Sequence, residues 1–284
     1  MAAAARLPLD AGLAGFELPP LDWRWEPRDV ALYALGVGAG VERDLALVFE
    51  RHGPLVLPTF ATLPVAMLLP ATVAAIEIDL RRLLHVQQSV AVAVPLPPSG
   101  RALVSRTVLE VLDKGRAAIV TVEDVGRGAG GEERFRARSS WWVSGAGGFA
   151  TSETPSRVRL EFPARAPDAS ATWRTSRDQA ALYRLNGDGN PIHIDPRFAR
   201  EAGFERPFLH GLCTFGAAGL ALVRELCGGD PRRLRALTGL LSARVEPGEE
   251  LRTDLWRTGP GTAALRVRAG GRTVLDEGQA TFAA

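Results

Sequence analysis

Two periodicities alternate along the chain. "LLHVQQSVAVAV" (83–94) alternates apolar and polar positions closely enough for a half-buried strand. "PLPPSG" (95–100) ends that pattern as a turn. "ALVSRTVLEVLDKG" and "RAAIVTVEDVG" read as long strands closing a hairpin around Asp113, Lys114 and Gly115, and "RFRARSSWWVSG" (134–145) reads as a further strand. "LALVFE" (45–50) reads as another. Helical signals come between them. Asp29 is placed to cap a short helix with Ala31, Leu32 and Leu35 on one face, stopped by Gly36 and Gly38. "LPTFATLPVAMLL" (57–69) is apolar nearly all round and predicts a buried helix broken near Pro64.

The second half repeats the order. "SRDQAALYRL" (176–185) predicts a helix with Ser176 at the N-cap and Gln179 three residues on. "HGLCTFGAAGLALVREL" (210–226) has helical length and an apolar face, but contains Gly211, Gly216 and Gly219. Glycine costs a helix roughly 1 kcal/mol relative to alanine, so three of them predict a closely packed neighbour. "LTGLLSARVEP", "EELRTDLWRTG", "TAALRVRAGG" and "RTVLDEGQATF" read as four closing strands. Each half thus runs from a buried helix through a turn to consecutive strands. A sheet wrapped around one helix, twice, fits this order, and crossover βαβ repeats do not. Residues 149–170 have little periodicity and several prolines, and predict a linker between units at 1–148 and 171–284.

Composition narrows the function classes. The 284 residues are 46% hydrophobic and 23% charged, with a net charge of +2. Acids and bases alternate without a basic arm, which argues against nucleic acid as a partner. No apolar run is read as reaching the ~18–20 residues of a membrane span, and the N-terminus lacks the pattern of a signal peptide. Cys213 and Cys227 fall fourteen residues apart in one helical pattern, roughly 21 Å, too far to bridge. A reducing, cytoplasmic location is expected. Lys114 is the single lysine among 34 lysine and arginine residues, so it marks a place where a compact ammonium could be wanted.

"YRLNGDGNPIHIDPRFA" (183–199) carries the candidate chemistry. Gly187 and Gly189 flank Asp188 and let backbone approach a ligand, while Pro191 holds Asn190 extended. Asp188, Asn190 and His193 are thereby kept in a defined relation, as general acid–base catalysis requires. The same residues also suit a plain capped turn, with Asp188 closing an Asx-turn, Asp195 capping the next helix and His193 bonded to a carbonyl. Gly211 falls at the first turn of the long helix, where a free N–H could meet an oxygen gaining negative charge, or could simply permit close packing, with His210 as a polar cap. Asp188, His193, Asp195, His210 and Cys213 lack the spacing of a metal motif, and no metal is expected. "GVGAG" and "GRGAGG" are not phosphate loops, and no G-x-S-x-G elbow occurs.

The run 183–216, "YRLNGDGNPIHIDPRFAREAGFERPFLHGLCTFG", closely resembles the signature of the MaoC-like (R)-specific enoyl-CoA hydratases, the type-2 hydratases. "RDVALYALGVGAG", "LPTFATLPV", "LLHVQQ", "PLPPSG" and "DKGRAA" resemble the N-terminal portion of the same family. The resemblance implies an α+β double hot-dog, two antiparallel sheets each wrapped around a central helix, with the active site in the C-terminal unit and acyl-chain space in the N-terminal one. It implies reversible syn addition of water to a trans-2-enoyl-CoA, giving the (3R)-3-hydroxyacyl-CoA. Asp188 and His193 would activate the water, Asn190 would orient the site, and the Gly211 N–H would hold the thioester oxygen. His85, Val86, Lys114 and Arg244 fall where the family contacts the CoA thioester, and Glu50 falls near an acidic residue of the family. No cofactor is implied, and a homodimer is expected. Where the family has "HG" followed by Glu, this chain has "HVQQ" (85–88), so Val86 stands for a glycine and Gln87 for a carboxylate. Rival readings are a carrier-protein hydroxyacyl dehydratase, a thioesterase and a non-catalytic acyl-CoA binding protein.

Overall fold

Ten strands pair antiparallel in one sheet in the computed structural model, which describes residues 5–150 and 159–283. They are β1 (Glu17–Trp25), β2 (Leu83–Val92), β3 (Gly100–Asp113), β4 (Ala117–Arg127), β5 (Glu133–Ser144), β6 (Ala169–Arg174), β7 (Leu234–Leu241), β8 (Glu250–Gly259), β9 (Thr262–Ala269) and β10 (Arg272–Phe282). Their order is β1-β3-β4-β5-β2-β7-β10-β9-β8-β6. Read inward from either edge, the two halves have the same topology: first strand, three-strand meander, second strand at the centre. The duplication read from the element order is therefore a duplication of topology. The two sheets expected are continuous, because β2 pairs with β7 from Gln87↔Leu240 to Ala91↔Ala236. That pairing removes two open strand edges at once.

The helices are α1 (Pro27–Gly36), α2 (Leu45–Val48), α3 (Leu63–Met67), α4 (Leu69–Ala75), α5 (Gln179–Tyr183), α6 (Pro196–Glu201) and α7 (Gly211–Leu226). Among the described residues, only α7 is long and almost wholly buried. Its glycines do face close neighbours: a Cβ on Gly216 would lie 2.5 Å from Val37 Cγ1, and one on Gly219 would lie 2.7 Å from Thr59 Cγ2. Each lies closer than two non-bonded carbon atoms approach.

The N-terminal counterpart of α7 is broken into a 3₁₀ turn (Pro58–Thr62), α3 and α4. A proline opens each piece (Pro58, Pro64, Pro70), where its missing N–H costs nothing. The single break expected near Pro64 is two breaks. The run Pro58–Ala75, at 18 residues, is also long and apolar enough to span a membrane, contrary to the sequence reading. In this fold it is divided into these pieces and 56% of it is buried.

Three local expectations need correction. Residues 45–50 are not a strand: α2 is followed by a 3₁₀ turn at Glu50–His52. Asp44 ties this region to α7, its carboxylate meeting Arg224 at 2.5 and 2.9 Å and accepting the Gly40 N–H at 2.9 Å. Asp29 does not cap α1; Glu26 does, and Asp29 reaches back to the Glu26 N–H at 2.9 Å. Asp178, not Ser176, is the N-cap of α5; the Ser176 N–H donates to Gln179 Oε1 at 3.3 Å, and the Ser176 hydroxyl accepts the Asp178 N–H at 3.1 Å. Part of the expected linker, residues 151–158, lies outside the described residues. Its later part is anchored, with Phe162 edge-on to Trp256 at 5.3 Å and beneath Arg266 at 4.0 Å.

Candidate active site

A cavity of about 820 Å³ opens between the two halves of the molecule. The loop after α5 forms one wall. Gly187 takes φ +107, which favours glycine, and a Cβ there would press on the flexible end of Met67, with Cε at 2.7 Å. Asp188 Oδ1 accepts the Asn190 N–H at 3.1 Å, and Asn190 Oδ1 accepts the Ile192 N–H at 3.2 Å. The Asx-turn considered from sequence is thus present, and so is the stiff loop. Both serve to hold Asp188, Asn190 and His193 in the same cavity wall. Asp195 caps α6 through the Arg197 and Phe198 N–H groups.

The protonation of His193 follows from its partner. Nδ1 lies 2.8 Å from the Phe208 carbonyl oxygen. A carbonyl only accepts, so Nδ1 carries the proton and Nε2 keeps a lone pair. Burial lowers the His193 pKa below the ordinary value, against the opposing charge of Asp188. At neutral pH the ring is a neutral base. A ligand atom from each of Asp188, His193 and His210 falls within 4.8 Å of the others.

His210 is the member the sequence suggested as a polar cap or as one of several unspaced ligand types. It is the N-cap residue of α7 but makes no side-chain cap bond. Its ring stacks on His193 with centroids 3.9 Å apart and lies 4.9 Å from Tyr183. Neither ring nitrogen has a protein partner of ordinary hydrogen-bond geometry among the described residues, although the Asp188 main chain lies near enough to favour the protonated form. Burial, then the neighbouring His193, drives its pKa well below the ordinary value. The only signal in the sequence was one of four histidines placed directly before Gly211. Asp188, His193 and His210 could present three atoms to a metal ion, despite lacking a spaced motif. The two imidazoles are stacked at a tilt of only 33°, a disposition poorly suited to tetrahedral ligation.

Gly211 opens α7 and lines the cavity. As the first helical residue its N–H has no acceptor in the preceding turn. A Cβ there would lie 2.5 Å from Leu241 Cδ1, so close packing and an available N–H coexist. His85, Val86 and Arg244 line the same cavity. His85 Nε2 lies 2.9 Å from the Gln87 carbonyl oxygen, and burial brings its pKa down to about 4. The Arg244 guanidinium covers Phe204 at 4.6 Å and Phe208 at 5.6 Å near the mouth. Two residues do not join this group. Lys114 is exposed on the β3–β4 turn, and Glu50 is exposed in the turn after α2; neither lines the cavity. β4 and β5 separate the Lys114 turn from β2, and the helical conformation of 45–52 directs Glu50 to the surface.

The chain matches two family models: the MFE-2 hydratase 2 N-terminal domain over residues 23–145 and the MaoC like domain over residues 160–277. It is 39% identical to the 3-hydroxyacyl-thioester dehydratase Y of Mycobacterium tuberculosis, covering 97% of this chain and 99% of that one. It is 38% identical to the peroxisomal enoyl-CoA hydratase 2 of Arabidopsis thaliana, covering 87% and 86%. Its structure superposes on the MaoC-like dehydratase from Phytophthora Capsici with a TM-score of 0.85 at 27% identity, covering 97% and 98%.

Proposed function

Because this chain belongs to the MaoC-like hydratases and dehydratases that carry an MFE-2 hydratase 2 N-terminal domain, we propose that it catalyses the reversible syn hydration of trans-2-enoyl-CoA to (3R)-3-hydroxyacyl-CoA. The double hot-dog fold is that of its relatives. The observation that carries the reading is the convergence of Asp188 and His193 on one cavity that also contains the first amide of a buried helix.

The water is held between the Asp188 carboxylate and the His193 Nε2 lone pair. Its oxygen attacks C3 as the Asp188/His193 pair takes one of its protons. The Asp188/His193 pair then returns that proton to C2 on the same face, so H and OH of one water add syn and the pair regains its starting state. Negative charge passing to the thioester oxygen is met by the Gly211 N–H; in acyl transfer one such donor is worth roughly 3–4 kcal/mol. Asp188 and His193 act on one water and are treated as one acid–base unit. His210 stacks on His193 and keeps its face dry, which favours the neutral ring.

Loss of enoyl absorbance on adding crotonyl-CoA tests the assignment. The expected product is the (3R) alcohol. Inactivity on enoyl-CoA thioesters of every length would overturn the reading. The reverse reaction on a carrier-protein thioester is a second reading, favoured by the relative named 3-hydroxyacyl-thioester dehydratase. The ratio of kcat/KM for CoA and carrier-protein thioesters separates the two. The resemblance also carries the proposal of a homodimer, which sedimentation measures.

A further inference from the structure

The cavity extends past Asp188 and His193 into the N-terminal half. Its mouth residues Arg206 and Arg244 are exposed, whereas Trp141 of β5, which lines it as well, is 2% exposed. The indole therefore belongs to the inner wall of the cavity and not to its mouth. Val65, Ala66 and Leu83, all buried, wall the approach. The broken helix borders this space: Val65 and Ala66 of α3 and Leu69 of α4 line it.

A charged pair is buried beside the indole. Arg106 is wholly buried, and it meets Asp124 at 2.6 and 2.7 Å, Thr72 Oγ1 at 3.0 Å and the Val65 carbonyl at 2.9 Å. Its guanidinium lies 5.3 Å from the centre of the Trp141 ring. Buried ion pairs are often no more stabilising than well-packed apolar groups, so stability alone does not explain this one. Its bonds do something more specific. They fix α3 and α4 to β3 and β4, and the cation–π contact holds the indole in one orientation. On the other side Trp141 is in register with His85 of β2.

We propose that Trp141, positioned by the buried Arg106–Asp124 pair, is the stop that sets the longest acyl chain this site accepts. The inference rests on the hydratase reading and deepens it. The thioester end of the chain is fixed by Gly211 and by the water between Asp188 and His193. Distal methylenes then run along Val65, Ala66 and Leu83. Each that finds apolar wall gains up to about fourfold in kcat/KM. A chain long enough to reach the indole gains nothing further unless it displaces a ring that the buried Arg106 guanidinium faces.

The readout is the ratio of kcat/KM for trans-2-hexadecenoyl-CoA to that for trans-2-decenoyl-CoA. Wild type is expected to lose efficiency between the two. Trp141→Ala is expected to raise this ratio at least tenfold, and Trp141→Phe to raise it less. Should the alanine variant fail to fold, the phenylalanine variant and the wild-type series decide. A wild type no less efficient on hexadecenoyl-CoA than on decenoyl-CoA overturns the inference, as does an unmoved ratio in a folded variant. If the wild type hydrates crotonyl-CoA in those cases, only the role of Trp141 falls. If it hydrates no enoyl-CoA at all, the hydratase reading falls and this inference with it.

Discussion

Asp188→Asn removes one charge and little else. The amide keeps its oxygen, so the bond from the Asn190 N–H, 3.1 Å in the native loop, can persist. The loop glycines and Pro191 are untouched. What goes is the ability to take a proton from the water. Positioned acid–base groups contribute roughly 10²–10⁴ in rate, or about 3–5.5 kcal/mol of activation free energy. The variant should therefore hydrate crotonyl-CoA at a hundredth of the wild-type kcat or less. Stability should change by less than about 1 kcal/mol, since Asp188 is only partly buried and the loop bonds remain. A second consequence follows from His193. The Asp188 charge raises its pKa against burial, so removing that charge lets the pKa fall further. The acid limb of residual kcat/KM should move to lower pH. Thermal melting and initial rates measured across pH separate these effects. Wild-type activity in the folded variant would refute the reasoning, and so would an activity loss fully matched by loss of folded protein.

Acid should destabilise the protein before its carboxylates titrate. His85 is held neutral, its pKa falling from 6.5 to about 4, and His193 and His210 shift the same way. Between those values the unfolded chain binds more protons, so the contribution is present above about pH 6.5 and lost as pH falls toward 4. For His85 alone the difference is worth about 3 kcal/mol at most, roughly 2 kcal/mol of it between pH 6.5 and 5. Urea unfolding at pH 7 and pH 5 should show the loss, and His85→Asn should reduce it; equal stability at the two pH values would contradict the buried neutral ring. Gly216→Ala should also destabilise. Helix propensity gains about 1 kcal/mol, but the added methyl meets Val37 Cγ1 at 2.5 Å and the Tyr33 hydroxyl at 2.7 Å. Overpacking against a β-branched side chain costs roughly 1–3 kcal/mol or more, so a lower Tm is expected, and a higher one would mean that α1 yields.

The meander strands and α7 were legible because their patterns are long and each meander strand meets a neighbour close in sequence, whereas β1 and β6, which pair only with the distant β3 and β8, were not read. The meander β3–β4–β5 and its partner β8–β9–β10 need only local turns. Residues 45–50 were not legible, because their conformation depends on Arg224, which reaches Asp44 from α7 across 180 positions. The loop at 187–193 was readable for a different reason: Gly187, Pro191 and the Asx-turn are local chemistry. His210 escaped because its importance lies in a ring stacked on another element, and no spacing records that contact. Trp141 escaped likewise, since an indole in a strand looks like ordinary core until the cavity beside it is seen. Lys114 and Glu50 show the converse. Their positions in the resemblance match, yet in this chain both side chains stand at the surface, away from the cavity.

Asp188→Asn, His193→Gln and the double variant, assayed together on crotonyl-CoA, address most directly whether these groups share one water. Residues that act as a unit are far from additive. The double variant should fall little below the slower single variant. Multiplied losses, with each substitution costing its full factor in the presence of the other, would mean that carboxylate and imidazole serve separate steps.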